Sequence, residues 1–185
     1  MTIPPGSYSI GPEQATLTVH TRKGGAAARA GHDLLIEVTA WSAELHAGEA
    51  AGATEMRLSA DSSSLEVREG TGGLQPLGDR DRAEVKKRID DEVLRRAVIE
   101  FRSTSVEPGR DRGELRVQGE LDLLGARRAI TVELRIADDG GLTGRATVTQ
   151  SDFGIKPYSA LFGALKVLDE VQVALEGRLP VSRRA

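Results

Sequence analysis

The chain has 185 residues, a length typical of one domain that can bury a substantial core. Its net charge is −3, with 29% charged and only 3% aromatic residues. This composition argues against a nucleic-acid-binding role, which needs a basic face or aromatic side chains for stacking. The sequence contains no cysteine, so disulfides, thiolate nucleophiles and cysteine metal sites are excluded.

The first 45 residues predict strands separated by short connections. Apolar-polar alternation predicts strands at Ser7–Ile10 and Ala15–His20, because successive side chains of a strand point to opposite faces. The small-residue segment Lys23–Gly31 predicts a loop or a weak strand that another backbone or a ligand could approach closely. In the longer strand Asp33–Leu45 the apolar set changes face, which predicts a bulge near Thr39–Ala40.

The middle of the chain changes from strand to helix periodicity. Alternation over Glu55–Ala60 predicts a strand, which Asp61–Ser64 interrupts before the apolar positions resume. Residues 68–81 are polar and glycine-rich and predict a loop. In Asp81–Leu94 apolar residues recur every four positions, as in an amphipathic helix that Asp81 caps by accepting a backbone N–H bond.

The segment Gly113–Ile136 shows the clearest alternation in the chain. Two runs of alternating apolar and polar residues flank Gly125–Arg128. This pattern predicts an antiparallel hairpin with one dry face, connected by a four-residue link. The dry face requires apolar material to cover it.

The remaining elements are three strands, one loop and one short helical segment. Alternation predicts strands at Val98–Val106, Leu142–Val148 and Asp169–Leu179. Asp152–Ile155 predicts a loop, and Tyr158–Leu165 a helical turn or two.

Together these elements predict an all-β fold with one or two short helices and about eight antiparallel strands. Such strands close into a barrel or pack as a sandwich, and a barrel also removes the exposed sheet edges. An eight-stranded barrel is either filled by its own side chains or holds one small ligand. No linker or repeat divides the chain, so residues 1–185 are predicted to form a single domain.

The three histidines do not predict a metal site. His20, His32 and His46 lack the spacing of metal ligands, and no metal or other cofactor is expected. His32 lies where a loop meets a strand. It is interpreted either as a group at the barrel mouth that donates a hydrogen bond to a ligand head group, or as a turn residue bonded locally to Asp33 or to backbone.

Motifs for catalysis are also lacking in the sequence. Glu100 and Glu120 are predicted to face outward, which gives little support to a paired-carboxylate site. Neither a nucleophile elbow nor a phosphate-binding loop is present. We therefore predict no catalytic residues and a protein that is not an enzyme. The alternatives are an enzyme that uses His32 and a neighbouring carboxylate on a hydrophobic substrate, and a packed structural or stress-response module.

The order of several short motifs resembles the YceI-like family over about Gly6 to Leu179. These motifs are Gly31-His32-Asp33-Leu34 before the Trp41 strand, Glu92-Val93-Leu94, Ile99-Glu100-Phe101-Arg102-Ser103, Val117 to Gly125, Ser151-Asp152-Phe153-Gly154-Ile155 and Val171 to Gly177. The chain departs from the family pattern at Arg95-Arg96-Ala97, where an aromatic-Pro pair is common.

The resemblance implies a lipocalin-like barrel that holds a polyisoprenoid or similar amphipathic ligand in its interior. The inward faces of the strands, with small residues at Gly119, Gly144 and Ala146, then form the ligand site, and Phe153, Tyr158 and Phe162 form an apolar lid. The predicted ligand-binding residues are Leu17, Val19, His32, Leu34, Ile36, Val38, Trp41, Met56, Leu58, Phe101, Val117, Leu121, Val132, Leu134, Val148, Phe153, Tyr158, Phe162, Val171 and Val173.

The expected partner is an apolar, isoprenoid-like small molecule; an isoprenoid quinone is one example. No nucleic acid and no stable membrane insertion are expected, and a homodimer is left open. Some family members are exported. This sequence lacks the basic and apolar regions of a secretory signal and any apolar run near the ~20 residues that span a bilayer, which predicts a soluble cytoplasmic protein.

Overall fold

The structure, a computed structural model, describes residues 4–179 and is dominated by antiparallel strands. The strands are β1 (Gly6–Ile10), β2 (Ala15–Thr21), β3 (Lys23–Gly24), β4 (Asp33–Val38), β5 (Trp41–Ala47), β6 (Glu55–Asp61), β7 (Leu65–Thr71), β8 (Val98–Pro108), β9 (Glu114–Leu123), β10 (Ala126–Ile136), β11 (Gly141–Thr149), β12 (Ser159–Ala160), β13 (Leu165–Val167) and β14 (Glu170–Arg178). Helix α1 (Asp79–Arg88) continues into a π-helical turn at Ile89–Val93.

Eleven of these strands form one sheet in the order β1-β5-β6-β8-β9-β10-β11-β14-β2-β4-β7. Three long runs of chain, β1–β2, β4–β5 and β6–β7, are each interrupted in the middle, and each run keeps the same neighbour on both sides of its interruption. Counted as continuous runs, the eleven strands make eight, and each run pairs with two others. The sheet therefore closes into a barrel, as the sequence predicts.

The interruptions of the three runs lie opposite one another. Thr39 and Ala40 separate β4 from β5, and Ser62–Ser64 separate β6 from β7. Hydrogen bonds cross this level, from Thr39 N–H to the Ser64 carbonyl at 3.1 Å and from Asp61 N–H to the Ala40 carbonyl at 3.0 Å. At the position of the predicted bulge, Thr39–Ala40, the chain instead breaks between β4 and β5, and the register shift of β4 against β7 lies at Leu35–Ile36. The break keeps both Val38 and Trp41 buried although the alternation changes phase between them.

One end of the barrel is tightly packed, and we call it the packed end. It lies where β10 ends and β11 begins, and its apolar residues are almost completely buried; Ile136 and Leu142 are both 1% exposed. Gly177 is pressed against Ala15 so closely that a Cβ at Gly177 would lie 2.3 Å from the Ala15 Cβ. The opposite end, the mouth end, lies where β2 ends at Thr21 and β4 begins at Asp33.

The hairpin at the mouth end is tighter than its sequence suggests. The four-residue link predicted at Gly125–Arg128 is wrong: the turn is only Leu124–Gly125, and β10 resumes at Ala126. Both turn residues have positive φ, 56° at Leu124 and 77° at Gly125. Such a two-residue turn matches the twist of the flanking strands. Arg127 and Arg128 therefore belong to β10 and pair with β9, and the Arg127 guanidinium donates to the Asp122 carboxylate at 3.1 Å.

Helix α1 lies next to β7 at the mouth end. It begins two residues before the predicted start, and the Asp81 carboxylate accepts a hydrogen bond from Gly78 N–H at 3.1 Å. Its predicted apolar stripe, Val85, Ile89 and Val93, packs against the barrel core. The helix therefore places apolar side chains over the interior beside the mouth.

A second, small sheet in the order β12-β13-β3 also lies at the mouth end. The segment Lys23–Gly31 contributes β3 to this sheet and forms a 3₁₀ turn at Ala28–Ala30. This agrees with the prediction of a loop or a weak strand. The helical turns predicted over Tyr158–Leu165 are only partly correct. The segment contains a single 3₁₀ turn at Leu161–Gly163 between β12 and β13, because β13 pairs with both β12 and β3.

Candidate ligand-binding cavity

The mouth-end half of the barrel encloses a cavity of about 530 Å³. Its wall consists of the inward positions of β2, β4, β6, β8, β9, β10, β11 and β14, and side chains of α1 and the small sheet surround its opening. Most of these side chains are Leu, Ile, Val or Phe. Its size lies within the range of about 300–1,000 Å³ typical of small-molecule sites.

Partial exposure of inward-facing residues shows where packing stops. Val19, Leu58 and Val132 point to the same side of the sheet as the buried core, yet each retains solvent-accessible surface. At the packed end, the inward residues Ile136 of β10 and Leu142 of β11 are each 1% exposed. The interior is thus filled at one end and hollow at the other.

The structure brings sixteen of the twenty predicted site residues to the cavity wall. These are Leu17, Val19, His32, Leu34, Ile36, Val38, Met56, Leu58, Phe101, Leu121, Val132, Leu134, Val148, Tyr158, Val171 and Val173.

The other four predicted residues lie elsewhere. Trp41 and Val117 face inward but are absorbed into the packed core, 7% and 1% exposed. Phe153 is also buried in the core, at 4%, because the 3₁₀ turn at Gln150–Phe153 directs it into the protein. Phe162 is fully exposed. The predicted apolar lid of Phe153, Tyr158 and Phe162 is therefore wrong, since only Tyr158 borders the cavity.

Several wall residues were not predicted as part of the site. They include Leu65, Leu77, Val85, Ile89, Val93, Leu94, Ile99, Leu123, Ile130 and Leu165. The helical members were detectable, because a stripe of apolar residues at four-residue spacing must cover something apolar. The small inward residues also differ in role. Gly144 and Ala146 line the cavity, whereas the space above Gly119 is occupied by the Phe101 ring.

A few polar groups lie at the opening. The Thr21 hydroxyl is inaccessible to solvent and has no hydrogen-bond partner among the described residues, although Thr21 borders the cavity. Lys23 Nζ donates to the carbonyls of Gly31, at 3.0 Å, and of Gly72. Buried polar groups normally have partners, so the Thr21 hydroxyl is an unsatisfied polar group in the wall of the cavity.

His32 also borders the opening and is held by a loop distant in sequence. Its Nε2 lies 2.8 Å from the Gln75 carbonyl oxygen, and a Cβ at Gly73 would lie 2.2 Å from that same nitrogen. Asp33 does not bond to His32; its carboxylate accepts a hydrogen bond from Lys23 N–H at 2.8 Å. His32 is thus bonded to the backbone of a distant loop, and the local bond to Asp33 or to nearby backbone that one interpretation predicts is not formed.

The helix side of the opening carries a small charged group. Arg88 pairs with Glu84 at 3.5 Å, and its guanidinium lies 4.8 Å from the centre of the Tyr158 ring. Arg88, Glu84 and Tyr158 all border the cavity. Their contacts join α1 to the segment preceding β12 across the opening.

The other candidate polar residues lie apart from the cavity. His20 and His46 are exposed on strand surfaces, where they contact Thr18 at 3.1 Å and Ser7 at 2.7 Å. Glu100 and Glu120 are exposed on the outer surface. Within residues 4–179, His, Asp and Glu side chains do not cluster as metal ligands do. In the same part of the chain, every helix is too short or too polar to cross a bilayer.

Comparison with known proteins identifies the family. The YceI-like domain matches residues 8–179, nearly the whole chain. The chain belongs to the YceI-like family. No curated protein matches this YceI-like chain.

Solved structures show the same fold at low sequence identity. BcnA of Burkholderia cenocepacia is 15% identical, with a TM-score of 0.64 over 88% of this chain and 94% of its own. A polyisoprenoid-binding domain from Saccharophagus degradans, described as implicated in plant cell wall breakdown, is 13% identical, with a TM-score of 0.51 over 94% of this chain and 99% of its own. A mutant of the CJ YceI protein is 11% identical, with a TM-score of 0.55 over 80% of this chain and 85% of its own. At these sequence identities the likeness shows a shared fold and nothing further.

Proposed function

We propose that this protein is a non-enzymatic carrier that holds a polyisoprenoid or similar amphipathic chain in the mouth-end cavity. The observation that carries the proposal is an apolar cavity of about 530 Å³ that opens where a few polar groups lie. Membership of the YceI-like family and the likeness to a polyisoprenoid-binding domain support this choice of ligand.

The cavity suits a ligand with an apolar tail and one small polar head. Burial of the tail contributes about 0.8 kcal/mol for each CH₂-sized group removed from water, before the costs of association. The head group then lies at the opening, near the unpartnered Thr21 hydroxyl and near His32, whose Nδ1 is the ring nitrogen left over because Nε2 is bonded to the Gln75 carbonyl. An isoprenoid alcohol or quinone has this chemistry.

The alternatives have weaker support. An acid/base pair of His32 and Asp33 would require the two side chains to cooperate, yet they bond to Gln75 and Lys23 respectively. A fully packed module is inconsistent with the hollow mouth-end half.

The test is binding of geranylgeraniol to wild-type protein and to an Ala146→Trp variant. Ala146 lines the cavity, so the indole would occupy ligand space, and affinity should fall by about tenfold or more, since each 1.4 kcal/mol of lost contact is tenfold. Thr143→Trp is the matched control, because Thr143 is exposed on the same strand, β11, and should bind like wild type. Thermal unfolding of each variant verifies that it folds.

Two further measurements complete this test. Val132→Phe adds bulk to the cavity from the neighbouring strand and should reproduce the loss. Native mass spectrometry of the purified protein should reveal a co-purifying apolar molecule. Equal binding by wild type and by both cavity variants, or no binding at all, would refute the carrier proposal.

A further inference from the structure

An exposed apolar tip projects beside the cavity opening. Leu161 is 60% exposed and Phe162 is fully exposed. Both have left-handed backbone angles, with φ of 52° and 56°, a conformation that costs energy in residues other than glycine. The chain therefore displays an aromatic and an aliphatic side chain to solvent on a strained turn.

The tip is connected directly to the cavity wall. It lies between β12 and β13, and Leu165 of β13 packs against Gly31 and borders the cavity. A neighbouring loop adds Leu74, which is 79% exposed one residue after Gly73, the residue that contacts His32. Exposed apolar groups thus flank the opening on two loops.

The chain segments around the tip are basic, although the whole protein is acidic. Residues 22–32 and 153–168 contain no Asp or Glu, whereas the chain carries a net charge of −3. Arg22, Arg29, Lys156 and Lys166 are exposed on these segments, and none of them pairs with a carboxylate within residues 4–179. Two carboxylates that flank these segments are bonded to backbone: Asp33 accepts from Lys23 N–H and Asp169 from Ser151 N–H, each at 2.8 Å.

We infer that the Leu161–Phe162 tip and the four basic residues Arg22, Arg29, Lys156 and Lys166 form a docking surface for an anionic lipid bilayer. Leu161 and Phe162 insert among the headgroups, and the basic side chains contact lipid phosphates. The unpaired positive charge favours a bilayer over an apolar partner protein. Resting on the carrier function proposed above, this inference adds that the mouth faces the bilayer, so an apolar tail enters the cavity without crossing water.

The inference is tested by sedimentation of the full chain with vesicles of phosphatidylcholine, with and without phosphatidylglycerol. Binding should require phosphatidylglycerol and weaken with salt, because the surface charges are screened. Phe162→Ser should weaken binding by about tenfold or more, and Lys156→Gln by about fivefold. Arg110→Gln is the matched control, because Arg110 lies between β8 and β9 at the packed end, and it should bind like wild type.

Geranylgeraniol binding in solution is measured on the same proteins. Neither Phe162 nor Lys156 borders the cavity, so both variants should bind the alcohol like wild type. Vesicle binding without alcohol binding would refute the carrier function and leave the docking surface intact.

Alcohol binding without vesicle binding would refute the docking surface and leave the carrier function intact. Absence of vesicle binding, or binding that neither Phe162→Ser nor Lys156→Gln weakens, overturns the inference. The inference is also overturned if the tip is instead an interface between two copies of the chain. Size-exclusion chromatography would then show a dimer that Phe162→Ser dissociates, and the protein would not bind vesicles. Lys156→Gln alters only an exposed charge and keeps the test decisive should Phe162→Ser fail to fold.

Discussion

Truncating one leucine at each end of the barrel tests whether the interior is packed at one end and hollow at the other. Leu142, at the packed end, is 1% exposed, whereas Leu34 borders the cavity and is only partly buried. Replacement by Ala removes the same atoms at both positions. Only at Leu142 does it create a new void, because at Leu34 a void is already present.

The expected magnitudes differ severalfold. Leu→Ala at a packed site costs about 2–5 kcal/mol, from lost transfer free energy and from the residual cavity. A value of about 3 kcal/mol for Leu142→Ala corresponds to a Tm decrease of about 6–12 °C in a domain of this length. Leu34→Ala loses only part of the transfer contribution, about 1 kcal/mol, and should lower the Tm by about 2–4 °C.

The assay is urea and thermal unfolding of protein refolded from denaturant, so that no bound ligand contributes to stability. The difference in the free energy of unfolding between the two variants is the measured quantity. If Leu34→Ala destabilises the protein as much as Leu142→Ala, Leu34 is packed in solution and the cavity argument fails.

Two further predictions concern ligand reporting and pH. Trp41 is the single tryptophan and lies outside the cavity, so saturation with geranylgeraniol should leave its emission maximum unchanged. In a Phe101→Trp, Trp41→Phe double variant the emission maximum should shift, because Phe101 lines the cavity. A shift in the emission of Trp41 itself would contradict the position of the cavity. Hydrogen bonds from the Ser63 hydroxyl and N–H lower the pKa of Asp61 below its ordinary value of 3.8. The ionised carboxylate therefore stabilises the fold at pH values above its ordinary pKa, and this contribution to stability is lost as the pH falls through the lowered pKa of the folded state. Asp61→Asn should thus be less stable than wild type at neutral pH, with a difference that narrows on acidification in urea unfolding; a difference independent of pH would contradict this explanation.

Alternation predicted which side of each strand faces the interior, and the structure confirms it for most strands. The same pattern could not show where the interior is hollow. Val117 and Val132 occupy equivalent positions in their alternating runs, but Val117 is packed and Val132 lines the cavity. The two residues are directly paired across β9 and β10, so the difference depends on which side chains face each of them across the interior, which a single strand does not encode.

Short connections were predicted least well, for local physical reasons. Leu124 adopts a left-handed conformation that its residue type disfavours, so the two-residue turn was hidden. Phe162 was assigned to an apolar lid because aromatic residues usually seek burial, but a strained turn holds it outward. His32 was placed correctly at the opening, while its partner, the Gln75 carbonyl, lies 43 positions away and left no local signal.

The aligned interruptions of the three long runs are places where the chain can change in length without shifting the strand pairing of the barrel. Pairing continues on both sides of the links at Gly11–Gln14, Thr39–Ala40 and Ser62–Ser64, so a residue gained or lost there alters a link and leaves the ladders unshifted. Insertions and deletions at these links would therefore leave both the packed half and the hollow half in register. Homologues would then be expected to differ in length at these three links more often than within the strands.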